Sequence, residues 1–394
     1  MAKTIIKNSE GMKTPFLRGI LTSSLLNAGV EFDLAYEMAR KIRHQINEKE
    51  QVSTSELRDI IIEQLENNVE KETLKRFLSA TNISSTIMIT CETRDPEPFS
   101  RGQHRLCMES CGLSSDDASS ITSTIYNDLL NRGYSEISSN KLGRMTYNLL
   151  VSEMGKKIAE RYLVWSDFLH SERPLLLLIG GTAGVGKSTI ATEVGHRFGI
   201  VRTQSTDMLR EVMRMMTPPS LSPVLHASSY NSWKVQPNVG KNDVMTEELL
   251  INGYLRQAEL LSVACEAIIN RALKEKVSLI LEGVHVNPGL VKKIPQDNEV
   301  IIVPIMLSVL KASKLREYIK GRGKDVPERR SKRYLDHFTE IWELQSYLMA
   351  EADHHKVPIV SNTNKEKAIQ EVMTTINDFL FPHFSHDLDT IFPV

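Results

Sequence analysis

Apolar residues recur along this chain with two different periods. Over the first part they fall at helical spacing, as in Ile20, Leu21 and Leu25 and again in Leu34, Ala35, Met38, Ala39 and Ile42. Such residues stack on one face of a helix with about 3.6 residues per turn. Short Ser/Thr/Asp/Gly stretches such as 112–116 and 135–140 separate these helices and supply N-caps. Thr86–Thr90 reads as a short strand among them. After Trp165 the pattern changes. Apolar runs at Leu175–Ile179, Val277–Leu281, Val300–Met306 and Val357–Val360 alternate with amphipathic stretches. That alternation predicts an α/β fold, a parallel sheet with helices on both faces. The change falls near Ser171–Pro174, where the proline opens the first buried strand.

The helical part contains a repeat. Thr14-Pro15-Phe16-Leu17-Arg18-Gly19 returns as Glu97-Pro98-Phe99-Ser100-Arg101-Gly102, an offset of 83. The same offset pairs Gly29 with Gly112, Ala35 with Ala118 and Ile42 with Ile125. Val52–Leu57 answers Ile137–Leu142 at an offset of 85, as if a turn had gained two residues. One register held over so many positions implies two copies of a small helical unit. The expected organisation is a first helical module over 1–85, a second over 86–168 and an α/β domain over 169–394.

Composition narrows the partners. With 394 residues, 41% hydrophobic and 25% charged, the chain has room for two or three globular domains. The balance of 48 basic and 49 acidic residues, a net charge of -1, recommends neither nucleic acid nor an anionic membrane. Four cysteines (Cys91, Cys107, Cys111, Cys265) without a CxxC pair suit neither a disulfide scaffold nor a zinc site. Cys107 and Cys111 share one helix face and read as packed thiols. No apolar run approaches the roughly 20 residues that span a bilayer, and the N-terminus lacks a signal-peptide core. The expected compartment is the cytoplasm, and a homo-oligomer is compatible with everything so far.

The chemistry begins after the first buried strand. Gly181-Thr182-Ala183-Gly184-Val185-Gly186-Lys187-Ser188-Thr189 contains Gly-x₄-Gly-Lys-Ser, between that strand and an amphipathic helix marked by Ile190, Val194 and Phe198. This is the Walker A pattern in its required context. Glycines let backbone N–H groups curl around phosphate oxygens, and the helix adds the positive end of its dipole. Lys187 would reach the β- and γ-phosphates and Ser188 would ligate Mg²⁺, so ATP and Mg²⁺ are the expected cofactors.

Later segments point to a kinase. Asp207, at the end of the second strand, suits binding or deprotonating an acceptor hydroxyl. Arg210 and Arg214, four apart on the next helix, can address one anion; an N-cap and two solvated arginines is the plainer alternative. Glu282 ends the buried run 278–282 where a carboxylate holds Mg²⁺ through water, and His285 follows it. Between Leu315 and Arg333 the chain is densely basic and interrupted by Gly321, Gly323 and Pro327. A bending lid bearing Arg322, Arg329 and Arg333 would exclude water and bring charge to a phosphoryl group. No Asn-Lys-x-Asp guanine reader occurs, and 357–362 is a candidate adenine wall.

These motifs together resemble the archaeal 2-phosphoglycerate kinase family. The likeness lies in Ile179–Thr189, in Thr206-Asp207-x-x-Arg210-Glu211-Val212, and in Leu281-Glu282-Gly283-Val284-His285-Val286-x-Pro288-Gly289. Ser228-Ser229-Tyr230-x-x-Trp233-Lys234 and Arg329-x-x-x-Arg333-Tyr334-Leu335-x-x-Phe338 extend it over about 165–375. It implies a P-loop kinase domain preceded by ATP-cone-like modules, to whose core the Pro-Phe-x-Arg-Gly segments are similar. Two copies depart from the single module expected. The resemblance implies transfer of the ATP γ-phosphoryl group to 2-phosphoglycerate, giving 2,3-diphosphoglycerate. Lys187, Asp207, Arg210 and Glu282 would be catalytic. Asp207, Arg210, Arg214, Tyr230, Lys234 and His285, with His226, are the acceptor-binding candidates. An adenine-nucleotide effector at the N-terminal modules is a further implied partner. An inositol phosphate acceptor and a regulatory P-loop ATPase stay open as alternatives; a nucleic-acid kinase is disfavoured by the neutral charge.

Overall fold

The structure, a computed structural model, describes residues 5–7, 13–47, 49, 51–69, 71, 73–74, 77, 87–91, 94–171, 173–240, 242–295, 299–325 and 331–394. It forms two compact units, one of Met1–Phe99 with Tyr126–Ser138, the other of Ser100–Ile125 with Ser139–Val394.

The first unit holds the first copy of the repeat and the strands of the second, whose helix Arg101–Ser110 belongs to the second unit. Strands β1 (Ile5–Lys7), β2 (Lys13–Pro15) and β3 (Gln51–Ser53) form one sheet, β1 pairing antiparallel to β2 and parallel to β3. Helices Arg18–Asn27, Phe32–Ile46 and Thr54–Asn68 accompany it. The middle helix buries Ala35, Met38, Ala39, Ile42 and Ile46 on one face, against Leu21, Leu25, Ile61, Leu65 and Phe77. Strands β4 (Met88–Cys91), β5 (Arg94–Pro98) and β6 (Glu136–Ser138) repeat the same sheet, β4 antiparallel to β5 and parallel to β6. The repeated prolines Pro15 and Pro98 each close the second strand, and Arg18 and Arg101 each open a helix. Gly29 and Gly112 both sit at φ 91 just past that helix, where a left-handed residue releases the chain from helical geometry. The copies are therefore mixed α and β rather than purely helical. Strands of three to five residues are too short for a period of two to register.

In the second unit, strands β7 (Leu175–Gly180), β8 (Thr203–Ser205), β9 (Leu279–Glu282), β10 (Ile301–Ser308) and β11 (Ile359–Ser361) lie parallel in the order β11-β10-β7-β9-β8. All six residues of β7 are buried. Leu175, Leu177 and Ile179 join Trp165, Ile190, Val194 and Val372 in one core. Leu176 and Leu178 face Cys265, Ile269 and Ala272 of the helix Glu247–Lys274 in another. Burial on both faces is why the run reads as continuously apolar, and each such side chain contributes on the order of 2 kcal/mol. The order reverses direction at β7, so a crevice opens beyond its C-terminal end.

Helices Arg101–Ser110 and Lys156–His170 share the first of these cores through Met108, Leu163 and Trp165. Phe198, at the end of the helix Lys187–Phe198, meets Trp165 edge-on with centroids 4.5 Å apart. Glu109, 5% exposed, accepts a hydrogen bond of 3.0 Å from Arg197 Nε of the same helix. Among the described residues no helix is long and apolar enough to cross a membrane.

His104 is half-buried between Thr122 Oγ1 at 3.0 Å and Thr146 Oγ1 at 3.1 Å, and desolvation of the ring lowers its pKa from 6.5 to about 4. The folded state thus holds fewer protons on this ring than the unfolded chain. The associated stability is complete above pH 6.5 and is lost as the pH falls through about 4. Unfolding free energy is expected to be about 2 kcal/mol lower at pH 5 than at pH 7 from this group. Trp165, Trp233 and Trp342 all lie in this unit, so denaturant titrations followed by tryptophan fluorescence report it. His104→Gln should flatten the acid limb.

Candidate active site

The site is built where β7 ends. Beyond Gly180 the backbone passes through φ 138 at Gly181, 93 at Gly184 and 90 at Gly186, conformations that favour glycine. Space is equally restrictive: a Cβ on Gly181 would lie 2.5 Å from Leu307 O, and one on Gly184 2.7 Å from Ile319 Cγ1. Asn362, just after β11, donates from Nδ2 to Val185 O at 2.8 Å. The residue expected at an adenine wall therefore braces the loop. Lys187 Nζ donates to Thr182 O at 2.8 Å, and the buried Thr182 Oγ1 lacks a protein partner. The helix beginning at Lys187 presents its N-terminus to this turn. Such a glycine turn at a helix N-terminus, with a lysine folded back over it, fits a chain of phosphates.

Glu282 closes the second wall. Its register on β9 sets it beside Ile179 of β7 and Ser205 of β8. It is 5% exposed, and its Oε1 accepts the Ser188 hydroxyl at 2.9 Å. A hydroxyl and a carboxylate in contact are the hard oxygen donors that Mg²⁺ prefers.

A cavity of about 310 Å³ opens from this pair. Lys187, Ser188 and Glu282 line it together with Asp207 and Arg210 of the helix Thr206–Met216. Ser228, Ser229 and Tyr230 complete it, with Tyr334 beside Tyr230. The volume is at the small end of ligand pockets. Asp207 is well exposed (68% for its side chain), whereas Arg210 is held tightly (15%). Arg210 Nη1 donates to Leu225 O at 3.2 Å and Ala227 O at 3.1 Å, and Nη2 to Glu211 Oε1 at 3.1 Å. It is at once a cation of the cavity and a clamp on the loop that walls it.

Other predicted residues stand elsewhere. Arg214 pairs with Glu211 at 2.6 Å and does not line the cavity. Lys234 is exposed, with Nζ 5.3 Å above the Trp233 ring, and His226 Nε2 is 2.8 Å from Thr217 O. His285 is 2% exposed, does not line the cavity, and is held in a polar cluster with Thr206 and Gln257. Burial lowers its pKa to about 4, so the ring is neutral near pH 7. Tyr230 titrates above its ordinary range, chiefly from burial. Of the lid residues, Arg333 donates to Ser228 Oγ at 2.9 Å. Arg322 lies on the helix Ala312–Asp325, which continues through Gly321 and Gly323 where a bend was expected. Arg329 and Pro327 lie outside the described residues. Gln257 and Asn362 contribute contacts that no sequence pattern marks, since one is mid-helix and the other follows a short strand.

A phosphate cradle at a sheet's C-terminal edge, a lysine, a hydroxyl–carboxylate pair and an acid across a small cavity define a P-loop phosphotransferase. The chain is 34% identical over 287 residues to a protein of Methanopyrus kandleri named 2-phosphoglycerate kinase, covering 72% of this chain and 85% of that one. To the protein of that name from Pyrococcus furiosus it is 34% identical over 282 residues, 71% of this chain and 89% of the other. With that from Methanocaldococcus jannaschii it shares 33% over 284 residues, 72% and 89%. This chain belongs to the 2-phosphoglycerate kinase family. No family model matches it.

The loop geometry makes a sharp test. Gly181→Ala adds a Cβ against Leu307 O at a backbone angle that L residues rarely adopt, a strain of about 1–3 kcal/mol. Calorimetric titration should show ATP affinity reduced by about ten-fold or more, with a lowered melting temperature.

Proposed function

We propose that this protein transfers the γ-phosphoryl group of ATP to the free hydroxyl of 2-phosphoglycerate, forming 2,3-diphosphoglycerate and ADP. The observation that carries the reading is the convergence of Lys187, Ser188, Glu282, Asp207 and Arg210 on one cavity, in a chain whose relatives bear that name.

The glycine turn and the helix N-terminus would hold the β- and γ-phosphates through N–H groups, with Lys187 swinging from Thr182 O to the γ-phosphate. Ser188 and Glu282 would hold Mg²⁺, which when bound neutralises charge on the phosphate oxygens. The acceptor hydroxyl oxygen bonds to the γ-phosphorus, the bridging oxygen leaves with ADP, and the hydroxyl proton passes to Asp207. Exposure of Asp207 on the cavity side leaves its carboxylate able to meet the acceptor. Arg210 and the Ser228–Tyr230 wall face the acceptor's own phosphate and carboxylate, where a guanidinium and hydroxyls are suited donors. A cavity of about 310 Å³ has room for a three-carbon acceptor.

ADP formation with Mg-ATP is expected to rise strongly with 2-phosphoglycerate and not with 3-phosphoglycerate or inositol phosphates. A response only to an inositol phosphate would replace the acceptor, and indifference to every acceptor would make the protein a regulatory ATPase. Asp207→Asn should lower kcat by about 10²–10⁴ with ATP affinity nearly unchanged, and Lys187→Ala should nearly abolish turnover. More than one ATP bound per chain in calorimetric titration would report a nucleotide site in the repeated N-terminal modules.

A further inference from the structure

A buried polar chain ties the acid of the cavity to the opposite wall. Thr206, fully buried and directly before Asp207, has its Oγ1 3.0 Å from His285 Nδ1. His285 Nε2 lies 2.9 Å from Gln257 Oε1. Gln257, also fully buried, donates from Nε2 to Val224 O at 2.5 Å and to Ala227 O at 3.1 Å. These bonds fix every proton. The amide nitrogen is committed to two carbonyls, so its oxygen must accept, Nε2 of His285 must donate, and Nδ1 must accept from the Thr206 hydroxyl.

Both ends of the chain touch the cavity. Asp207 follows Thr206, and Ser228, Ser229 and Tyr230 follow Ala227. Two glycines let the parts approach. A Cβ on Gly283, at φ 154, would collide with Thr206. One on Gly253 would collide with the backbone of Trp233, at the loop's far end. Gly253 and Gln257 are four apart on the helix Glu247–Lys274, hence on one face. Between them Tyr254 donates to Val284 O at 2.9 Å, so the same face also fixes the chain leaving β9.

We propose that Gln257 and His285 are positioning residues for the acceptor, locking the start of the Asp207 helix and the 224–230 loop into one geometry across the cavity. The proposal rests on the phosphoryl-transfer reading of that site. Neither side chain touches substrate. A fully satisfied buried network is a stiff connector, and a link removed from it leaves polar partners stranded.

Steady-state kinetics and hydrogen exchange of Gln257→Met, His285→Leu and the double variant test it. The singles are expected to raise KM for 2-phosphoglycerate about ten-fold or more, with KM for ATP changed less than about two-fold. The double should be no worse than the poorer single, because both break one chain. His285→Asn, which keeps an acceptor for Thr206, should recover part of the loss and serves if the leucine variant does not fold. Amides of 224–231 should exchange faster in the variants, with those of the Gly181–Ser188 loop unchanged. Parallel rises in both KM values, or additive losses in the double variant, would overturn the proposal. Should wild type ignore 2-phosphoglycerate, the acceptor reading fails separately and exchange alone decides: unaltered protection at 224–231 rejects the connector, and selective loss supports it.

Discussion

The backbone turn at the end of β7 sets the terms for the rest of the second unit. Gly181 lies so close to Leu307 O, and Gly184 to Ile319, that no side-chain atom fits. The turn is consequently pressed between β10 and the helix Ala312–Asp325 and braced by Asn362 on Val185 O. Lys187 and Ser188 inherit their positions from that packing. Because β9 is the hydrogen-bonded neighbour of β7, Glu282 arrives against the Ser188 hydroxyl without a long side chain having to search for it. Rigid placement of this kind gives the site its electrostatic preorganisation.

The far side of the cavity is made differently. Its wall, Ser228–Tyr230, is loop, and loops carry little intrinsic geometry. The loop is held from several directions: Arg210 on Leu225 O and Ala227 O, Gln257 on Val224 O and Ala227 O, and Arg333 on Ser228 Oγ. Arg210 thereby commits much of its guanidinium to the loop while still lining the cavity. A substitution there would mix loss of charge with loss of the loop, so its kinetic effect is not a measure of phosphate contact alone.

The repeated units show how much a repeat can say before its fold is known. Pro15 and Pro98, Arg18 and Arg101, and Gly29 and Gly112 take matching structural places, so the register read from residue identities is a register of conformations. Of these six strands only β4 is legible beforehand, in the run Thr86–Thr90; the others are three to five residues long, too short to show a period of their own. Helical period dominated any window wide enough to measure.

Residue order alone determined the parallel sheet, its covering helices and the phosphate turn. Continuous apolar runs can be buried only on two faces, and Gly-x₄-Gly-Lys-Ser after such a run has few other uses. It also determined that Glu282 ends a strand and that Asp207 follows one closely, where α/β folds place their chemistry; Asp207 itself stands in the first turn of the helix after β8. What it left open was direction and partnership. Arg214, Lys234 and His285 carry suitable chemistry, yet the first is neutralised by Glu211, the second is exposed over Trp233, and the third is buried against Thr206 and Gln257. Conversely, Gln257 sits in the middle of a 28-residue helix with nothing local to distinguish it. Its role comes from segments 30 and 28 positions away, at Ala227 and His285. Strand order and helix packing alone bring such partners together, because side-chain hydrogen bonds depend on distance in space and not on distance along the chain.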